Sequence, residues 1–197
     1  MSNSSKRWLQ SHHRDPFVHQ ARQEGYRSRA AYKLIAMQEK YQLFKPNMTV
    51  VDLGAAPGGW TQVLIEHCHH VVALDILPMD SIAGVTFIQG DFTTDACYDE
   101  LLDVTNNQSI DWVVSDMAPN MSGNKTTDQA RAMHLVELAH DFAQTVTPKQ
   151  GLVVKAFQGK DFDQFVQTLR QTFKKVIITK PQASSSRSAE VYIIARK

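Results

Sequence analysis

From residue 49 onward, short apolar runs rich in β-branched residues alternate with longer amphipathic segments. Several runs are nearly continuous in apolar residues, which is typical of strands buried on both faces of a parallel sheet. The pattern therefore predicts an α/β fold: a mostly parallel, seven-stranded sheet with helices on both faces. The predicted strands are TVVDL (49–53), VVALD (71–75), VTFIQ (85–89), IDWVVSD (110–116), GLVVKAF (151–157), KVIITK (175–180) and EVYIIAR (190–196).

The amphipathic segments predict the helices of this fold. They lie at 59–69, 95–104, 128–147 and 161–173, with one more at 26–40 outside the repeat. Only PQASSSRSA, which contains the low-complexity stretch Ser184–Ser186, separates the last two strands. Those strands should therefore pair antiparallel at one edge of the sheet. We expect a basic N-terminal segment at residues 1–25 and a single domain at residues 26–197.

Composition excludes several classes of protein. Hydrophobic residues make up 43% and charged residues 21% of the chain, which is ordinary for a globular protein. No apolar run approaches the ~18 residues of a membrane span, and the N-terminus lacks a signal-peptide core. Cys68 and Cys97 have no paired spacing, so we expect free thiols and a cytoplasmic protein. The run His67–His70 has the wrong spacing for zinc, and we expect no metal.

Positive charge is concentrated at the two ends of the chain. Residues 1–40 hold eight Lys or Arg and three acids (+5), and residues 170–197 hold seven and one (+6). The net charge of +1 then leaves −10 for the middle. If the ends meet in space they form one basic face, which favours a polyanionic partner over an ordinary solvated surface.

The stretch VVDLGAAPGGW (50–60) joins the first strand of the repeat to a helix through small residues. In open α/β sheets this first turn is the usual place for a ligand. The dinucleotide fingerprint G-x-G-x-x-G is absent, because the loop reads GAAPGG, so a pyrophosphate cofactor such as NAD is disfavoured. Tight packing of the loop against its neighbours is the alternative explanation of these glycines.

Carboxylates lie at or near the ends of four successive strands, at the edge where such a ligand would lie: Asp52, Asp75, Asp91 and Asp116. Asp75 is suited to the two hydroxyls of a ribose, and Asp91 to the exocyclic amine of a purine. Each acid alone is also compatible with a helix N-cap or a solvated loop. Together they favour an adenosine carrying a cationic sulfonium, and S-adenosylmethionine fits that description.

These motifs, followed by LD, GDF, SDMAPN, VVKAFQG and SAEVYIIA, resemble the bacterial FtsJ/RrmJ family of ribosomal RNA methyltransferases from about Ser28 to the C-terminus. The resemblance implies a Rossmann-like, S-adenosylmethionine-dependent enzyme that methylates a ribose 2′-hydroxyl. It implies a uridine in the A-loop of large-subunit ribosomal RNA as the target. We expect this RNA to be bound within the large subunit and the enzyme to be a monomer. The cofactor contacts that it implies are Gly58, Trp60, Asp75, Asp91 and Asp116. We also expect cofactor contacts at Gly54, Ala55, Pro57, Gly59, Ile76 and Phe92.

The implied catalytic set is Lys33, Asp116, Lys155 and Glu190. Lys155 lies in an apolar strand, where the charged ammonium is disfavoured, so its amine is a candidate general base for the hydroxyl proton. The carboxylates oppose this effect because they stabilise the protonated amine. We expect Asp116 to orient Lys155, and Lys33 and Glu190 to hold the ribose. Each of these roles has an alternative. Lys155 could be a snorkelling lysine, Glu190 a surface carboxylate, and Lys33 a lysine that contacts phosphate.

The basic ends supply candidate phosphate contacts, and three aromatic residues could stack on a splayed base. The candidates are Arg7, Arg14, Arg22, Arg27, Arg29, Lys180 and Arg187, with Trp8, Tyr26 and Tyr32 for stacking. Residues 117–127 form a long polar segment that we expect to act as a substrate loop. Methylation of transfer RNA or a messenger cap, and a catalytically inert RNA chaperone, are the competing functions.

Overall fold

The structure is a computed structural model that describes residues 15–106, 108–186 and 188–197. The predictions made for Arg7, Trp8, Arg14 and Arg187 lie outside these ranges. Within them, the helices are α1 (Pro16–Glu24), α2 (Ala31–Tyr41), α3 (Gly59–His67), α4 (Asp95–Thr105), α5 (Lys125–Val146) and α6 (Phe162–Thr172). The strands are β1 (Thr49–Leu53), β2 (His70–Asp75), β3 (Val85–Gln89), β4 (Trp112–Ser115), β5 (Gly151–Phe157), β6 (Lys175–Thr179) and β7 (Glu190–Arg196).

The strands form one seven-stranded sheet in the order β3-β2-β1-β4-β5-β7-β6. All neighbours are parallel except the pairs that involve β7, which runs antiparallel to both β5 and β6. The predicted mostly parallel sheet and the antiparallel final pair are therefore confirmed. Because β7 is inserted between β5 and β6, residues from the end of the chain lie beside β5.

Helices cover both faces of the sheet, as predicted. On one face, side chains such as Phe142 of α5 and Leu169 of α6 are fully buried. On the other face, Leu34 of α2 and Leu64 of α3 are equally buried. With both faces covered, the exposed carboxyl ends of the strands are left as the place where polar residues gather.

The N-terminal part of the described chain differs from the expectation. Helix α2 begins at Ala31 rather than at residue 26, and α1 was not predicted. The limits of α1 nevertheless have local causes: the Asp15 carboxylate accepts from the Phe17 amide at 2.9 Å, and Gly25 ends the helix with φ 81°. Val18 and Ala21 of α1 are buried.

Helix α1 therefore packs on the domain, although the predicted boundary places it in the preceding segment. Ala21 is 3% exposed and clusters with Tyr32 of α2 and with Ala183. None of the helices in the described ranges is both long and apolar enough to cross a membrane.

We expect Ala21→Glu to destabilise the protein, because it places an unpaired charge in the contact between α1 and α2. The loss in the free energy of unfolding should be on the order of 2–3 kcal/mol, measured by urea denaturation. Gln23→Glu, on the exposed side of the same helix, is the control and should change stability little. Equal effects of the two substitutions would mean that α1 does not contribute to folding.

Candidate active site

The loop between β1 and α3 forms one wall of a cavity. Gly54 adopts φ 80°, and a Cβ atom at this position would lie 2.9 Å from the main-chain nitrogen of Met117. The amides of Gly54 and Ala55 donate to the carbonyl oxygen of Leu74, at 2.9 and 3.1 Å. Only a glycine allows the loops after β1 and β4 to approach this closely.

The cavity has a volume of about 330 Å³ and lies beyond the carboxyl ends of the central strands. Its wall contains three of the four predicted strand-end carboxylates, those of Asp75, Asp91 and Asp116. Among the described residues, no lysine or arginine lines it. The remaining wall residues are Gly54, Ala56, Leu74, Ile76, Leu77, Gly90, Phe92, Thr93, Met117, Ala118, Asn120 and Leu135. A ligand carrying a chain of phosphates would be poorly matched to such a site.

The acids on this wall also hold the local backbone. Both carboxylate oxygens of Asp75 accept from amides, those of Ala56 and Leu77, each at 2.8 Å. Asp91 accepts from the hydroxyl and the amide of Thr93, at 2.7 and 2.9 Å. These hydrogen bonds hold the pKa of Asp91 below its usual value, and the bond from the hydroxyl has the larger effect. The carboxylate of Asp91 is therefore charged at neutral pH.

The rest of the wall fits a flat apolar group. Ile76 and Leu77 are each 60% exposed at the cavity although both are large hydrophobic residues. Phe92, by contrast, is 4% exposed and packs against Tyr98 and Phe142. The combination of carboxylates, exposed aliphatic side chains and no basic group suits a nucleoside with a cationic substituent. The donor set is therefore compatible with S-adenosylmethionine.

Several predicted cofactor contacts do not line the cavity: Ala55, Pro57, Gly58, Gly59 and Trp60. A Cβ atom on Gly59 would lie 2.2 Å from the hydroxyl oxygen of Ser28. Trp60 is 2% exposed, and its indole nitrogen donates to the carbonyl oxygen of Ala30 at 2.9 Å. At these positions the structure agrees with the alternative that the loop is small because it packs against residues 28–30.

Asp52 corrects one expectation, because it does not lie on the rim of the cavity. Its side chain is fully buried, and Oδ2 accepts from the Thr61 hydroxyl of α3 at 2.7 Å. Oδ1 has no hydrogen-bond partner among the described residues. Burial raises the pKa of Asp52 to about 7 against the opposing effect of Thr61, and the charges of Asp116 and Asp75 add to the rise.

Asp116 joins the cavity to two of the predicted catalytic residues. The Lys155 amine donates to the main-chain carbonyl of Asp116 and lies 3.2 Å from its Oδ1 atom. The same oxygen accepts from the Tyr192 hydroxyl at 2.6 Å. Lys155 and Tyr192 are direct partners in the β5–β7 register, which explains why they reach the same carboxylate. Lys155 is 7% exposed, so a snorkelling side chain is excluded.

The other two predicted catalytic residues form a second pair. The Lys33 amine of α2 lies 2.7 Å from Oε1 of Glu190, with side chains 11% and 14% exposed. The Ser184 hydroxyl donates to the same oxygen at 2.7 Å. Burial acts to raise the pKa of Glu190, but the charge and hydrogen bond of Lys33 and the bond from Ser184 outweigh it and lower the pKa. The carboxylate is therefore charged.

Tyr192, which the sequence analysis did not identify, links the two pairs. Its ring centroid lies 5.5 Å from the Lys33 amine, while its hydroxyl reaches Asp116. Burial first, and then the charges of Asp116 and Glu190, raise its pKa well above the usual value, so the hydroxyl remains a donor. Residues two apart on a strand share a face, so the spacing of two residues from Glu190 could have identified Tyr192 as part of the site.

Two arginines expected to contact phosphate are engaged within the protein. The Arg27 guanidinium donates to three main-chain carbonyls, those of Pro57, Asp80 and Ser81, at 3.4, 2.7 and 3.2 Å. It thereby ties the β1–α3 loop to the segment that follows β2. Arg27 therefore has a structural role, and its contact with a phosphate remains a prediction.

Arg29 connects α1 to the segment before β7. Its guanidinium pairs with the Asp15 carboxylate and donates to the carbonyl oxygen of Ala183. Tyr32, expected to stack on a base, is 8% exposed and donates to Glu24 at 2.8 Å, so core packing is its observed role.

Three other expected RNA contacts remain at or near the surface. Arg22 and Lys180 are exposed, and the Lys180 amine donates to the carbonyl oxygen of Ser188. Tyr26 is partly exposed and donates to Glu66 at 3.3 Å. These residues keep surface available for a partner, and their contact with RNA remains a prediction.

The expected substrate loop borders the cavity through Met117, Ala118 and Asn120. The loop is shorter than predicted, because α5 begins at Lys125. Its middle is attached to α5, since the Asp128 carboxylate accepts from the Ser122 amide and hydroxyl at 2.8 and 2.7 Å. The hydrogen bonds from Ser122 lower the pKa of Asp128, and the bond from the Ser122 amide has the largest effect. The described residues contain no group of three or more His, Cys, Asp or Glu side chains arranged to hold a metal ion.

Comparison with known proteins finds relatives over nearly the whole chain. A family model described as FtsJ-like methyltransferase matches residues 26–197. The ribosomal RNA large subunit methyltransferase E of Marinobacter nauticus is 54% identical, over 99% of this chain and 96% of that protein. The protein of the same name from Francisella tularensis is 53% identical over 98% and 96%. A solved Plasmodium falciparum structure, described as a ribosomal RNA methyltransferase, superposes with a TM-score of 0.76 at 31% identity, covering 87% and 97%.

The buried Asp52 makes stability depend on pH in an unusual direction. Its pKa in the folded protein lies above the ordinary value of 3.8, so the folded state holds the proton more tightly between about pH 4 and pH 7. Stability falls as pH rises through this window, by up to ~1.4 kcal/mol per pH unit. Asp52→Asn removes that loss, so the stability of the variant relative to that of the parent should be higher at pH 8 than at pH 5.

Thermal unfolding of the cofactor-free protein at the two pH values measures this difference. Asp103→Asn, on the exposed face of α4, is the control and should shift the melting temperature equally at both. A pH-independent difference for Asp52→Asn as well would show that Asp52 ionises normally when folded.

Proposed function

The chain belongs to the FtsJ-like methyltransferase family, and on that basis we propose that it methylates a ribose 2′-hydroxyl of large-subunit ribosomal RNA. Relatives more than half identical over nearly the whole chain, named as large-subunit ribosomal RNA methyltransferases, support the class of substrate. The observation that carries the proposal is the amine of Lys155 lying against Asp116 on the cavity wall. The proposed target is a uridine of the A-loop, reached within the large subunit by a monomeric, cytoplasmic enzyme.

The residues that would hold the cofactor are those of the acidic cavity. S-adenosylmethionine, when bound, supplies the methyl group as a sulfonium. Asp75 would accept from the ribose hydroxyls and Asp91 from the adenine amine, since both carboxylates face the cavity. Ile76 and Leu77 would cover the base, which would explain why these large aliphatic side chains are otherwise exposed.

Lys155 is the proposed general base. A ribose hydroxyl is a poor nucleophile near neutral pH, so its proton must be removed as the new oxygen–carbon bond forms. The neutral amine of Lys155 takes that proton, and the resulting ammonium is stabilised by Asp116 Oδ1 at 3.2 Å. The surrounding apolar strand limits water, which strengthens this interaction.

Asp116, Lys33 and Glu190 act as orienting groups. The Tyr192 hydroxyl donates to Asp116 Oδ1 and so restrains the carboxylate beside the amine. The ion pair of Lys33 and Glu190, with the Lys33 amine 5.5 Å from the centre of the Tyr192 ring, offers a donor and an acceptor for the ribose. Such preorganised groups lower the barrier by holding the hydroxyl beside the base.

The RNA contacts remain on the basic ends of the chain. Arg22 and Lys180 are exposed and carry charge that a phosphate backbone would neutralise. The loop at 117–124 would cover the target ribose and exclude water from it. A 2′-hydroxyl as the acceptor would itself make the enzyme specific for RNA.

Lys155→Ala should reduce methyl transfer at least ~100-fold, because the general base is lost. Transfer of radiolabelled methyl groups to large ribosomal subunits measures the rate, and calorimetry with S-adenosylhomocysteine should show near-normal cofactor binding. Lys175→Ala is the matched control, since this exposed lysine starts β6 at the far edge of the sheet. Unchanged transfer by the Lys155→Ala enzyme would remove the amine from the mechanism.

Ile76→Ser should weaken binding of S-adenosylhomocysteine about tenfold without lowering the melting temperature. The side chain is 60% exposed, so it contributes little to folding, whereas burial by a ligand is worth ~1.5 kcal/mol or more. Ile178→Ser, at a residue 41% exposed on the edge strand β6, is the control and should bind normally. Equal affinities of the two variants would place the cofactor elsewhere.

A further inference from the structure

Ser184 belongs to the only low-complexity stretch of the chain and has no role in the mechanism so far. We propose that Ser184 is a positioning residue that sets the orientation of Glu190 and, through it, of Lys33. The inference rests on the proposed function, in which these two residues hold the target ribose.

The first observation is that two donors share one carboxylate oxygen. The Ser184 hydroxyl and the Lys33 amine both lie 2.7 Å from Oε1 of Glu190. A glutamate side chain has three rotatable bonds, and a single ion pair with a lysine leaves much of that freedom because the lysine is itself mobile. A second donor on a rigid segment removes it. Glu190 thereby holds Lys33 beside the ring of Tyr192.

The second observation is that Ser184 is itself fixed. Its amide donates to the carbonyl oxygen of Pro181 at 2.9 Å, which closes a turn. The preceding residue, Ala183, is 2% exposed, packs with Ala21 and Tyr32, and accepts from Arg29. Helices α1 and α2 thus anchor the segment that carries the hydroxyl. The serine acts as a rigid support for Glu190.

The third observation separates Ser184 from its neighbours. Ser184 is 7% exposed, whereas Ser185 and Ser186 are exposed. The backbone of Ser185 accepts from the Ser188 amide, and an alanine at this position would preserve that bond. Three identical residues in sequence therefore have different roles, and Ser185 provides a matched control for removing a hydroxyl.

A double-mutant cycle tests whether the hydroxyl acts through Glu190. The single-turnover rate of methyl transfer to large ribosomal subunits is measured for the parent, Ser184→Ala, Glu190→Gln and the double variant. We expect Ser184→Ala to lower the rate about tenfold and to have no further effect when Glu190 is already changed. Ser185→Ala should stay within about twofold of the parent. A Ser184→Ala rate equal to that of Ser185→Ala, or a defect that persists beside Glu190→Gln, overturns the proposal.

A titration gives a second readout that does not need the reaction. The ¹³C resonance of the Glu190 carboxyl reports its ionisation, and loss of the Ser184 donor should move the midpoint to higher pH. Ser185→Ala should leave it in place. An unchanged midpoint in the Ser184→Ala protein overturns the positioning role, even if methyl transfer is slower. If the parent transfers no methyl group to ribosomal RNA, the proposed function fails, and the titration still decides whether Ser184 orients Glu190.

Discussion

The site depends on one carboxylate oxygen, Oδ1 of Asp116, which accepts from the Tyr192 hydroxyl and lies 3.2 Å from the Lys155 amine. Asp116 follows β4 directly and also lines the cavity. A single residue therefore touches the space for the cofactor and the amine proposed to take the proton. Neither the acidic cavity nor the lysine alone would suggest a methyl transfer; the proposed mechanism rests on their connection through Asp116 and on the family to which the chain belongs.

The order of the strands is what makes this connection possible. Because β7 is inserted beside β5, Lys155 faces Tyr192, and Phe157 faces Glu190, in an antiparallel register. If β6 had followed β5 in the sheet, both residues of β7 would lie one strand farther from the amine. Helix α2 then brings Lys33 to Glu190 from outside the repeating unit. The four predicted catalytic residues thus come from four different elements, and only the complete fold assembles them.

The local sequence predicted where the helices and strands lie better than it predicted which strands pair with each other. Each predicted strand matches an observed one. For β1, β2, β4 and β5 the cause is burial within a parallel part of the sheet, which produces nearly continuous apolar runs. Helix α1 was missed because it is short and contains few apolar residues, although Asp15 and Gly25 are ordinary cap residues. The position of β7 between β5 and β6 depends on long-range pairing, which no local pattern reports.

The same limit explains what the sequence could not show about the site. Charge and residue type suggested that Arg27 would contact phosphate, but the sequence does not show the carbonyls of Pro57 and Asp80 that its guanidinium reaches. Asp52 ends its strand like the other acids, yet its side chain lies beneath the loop against Thr61. Ser184 occurs in a repetitive stretch, where only the folded structure distinguishes one serine from the next.

The pH dependence of the single-turnover methylation rate tests the central claim, that the amine of Lys155 acts in its neutral form. Saturating S-adenosylmethionine and large ribosomal subunits keep binding from limiting the rate. If Lys155 is the base, the rate should rise about tenfold per pH unit and then reach a plateau as the amine loses its proton. A rate that is constant at low pH and falls at high pH would contradict the account, because the active form would then be the ammonium ion.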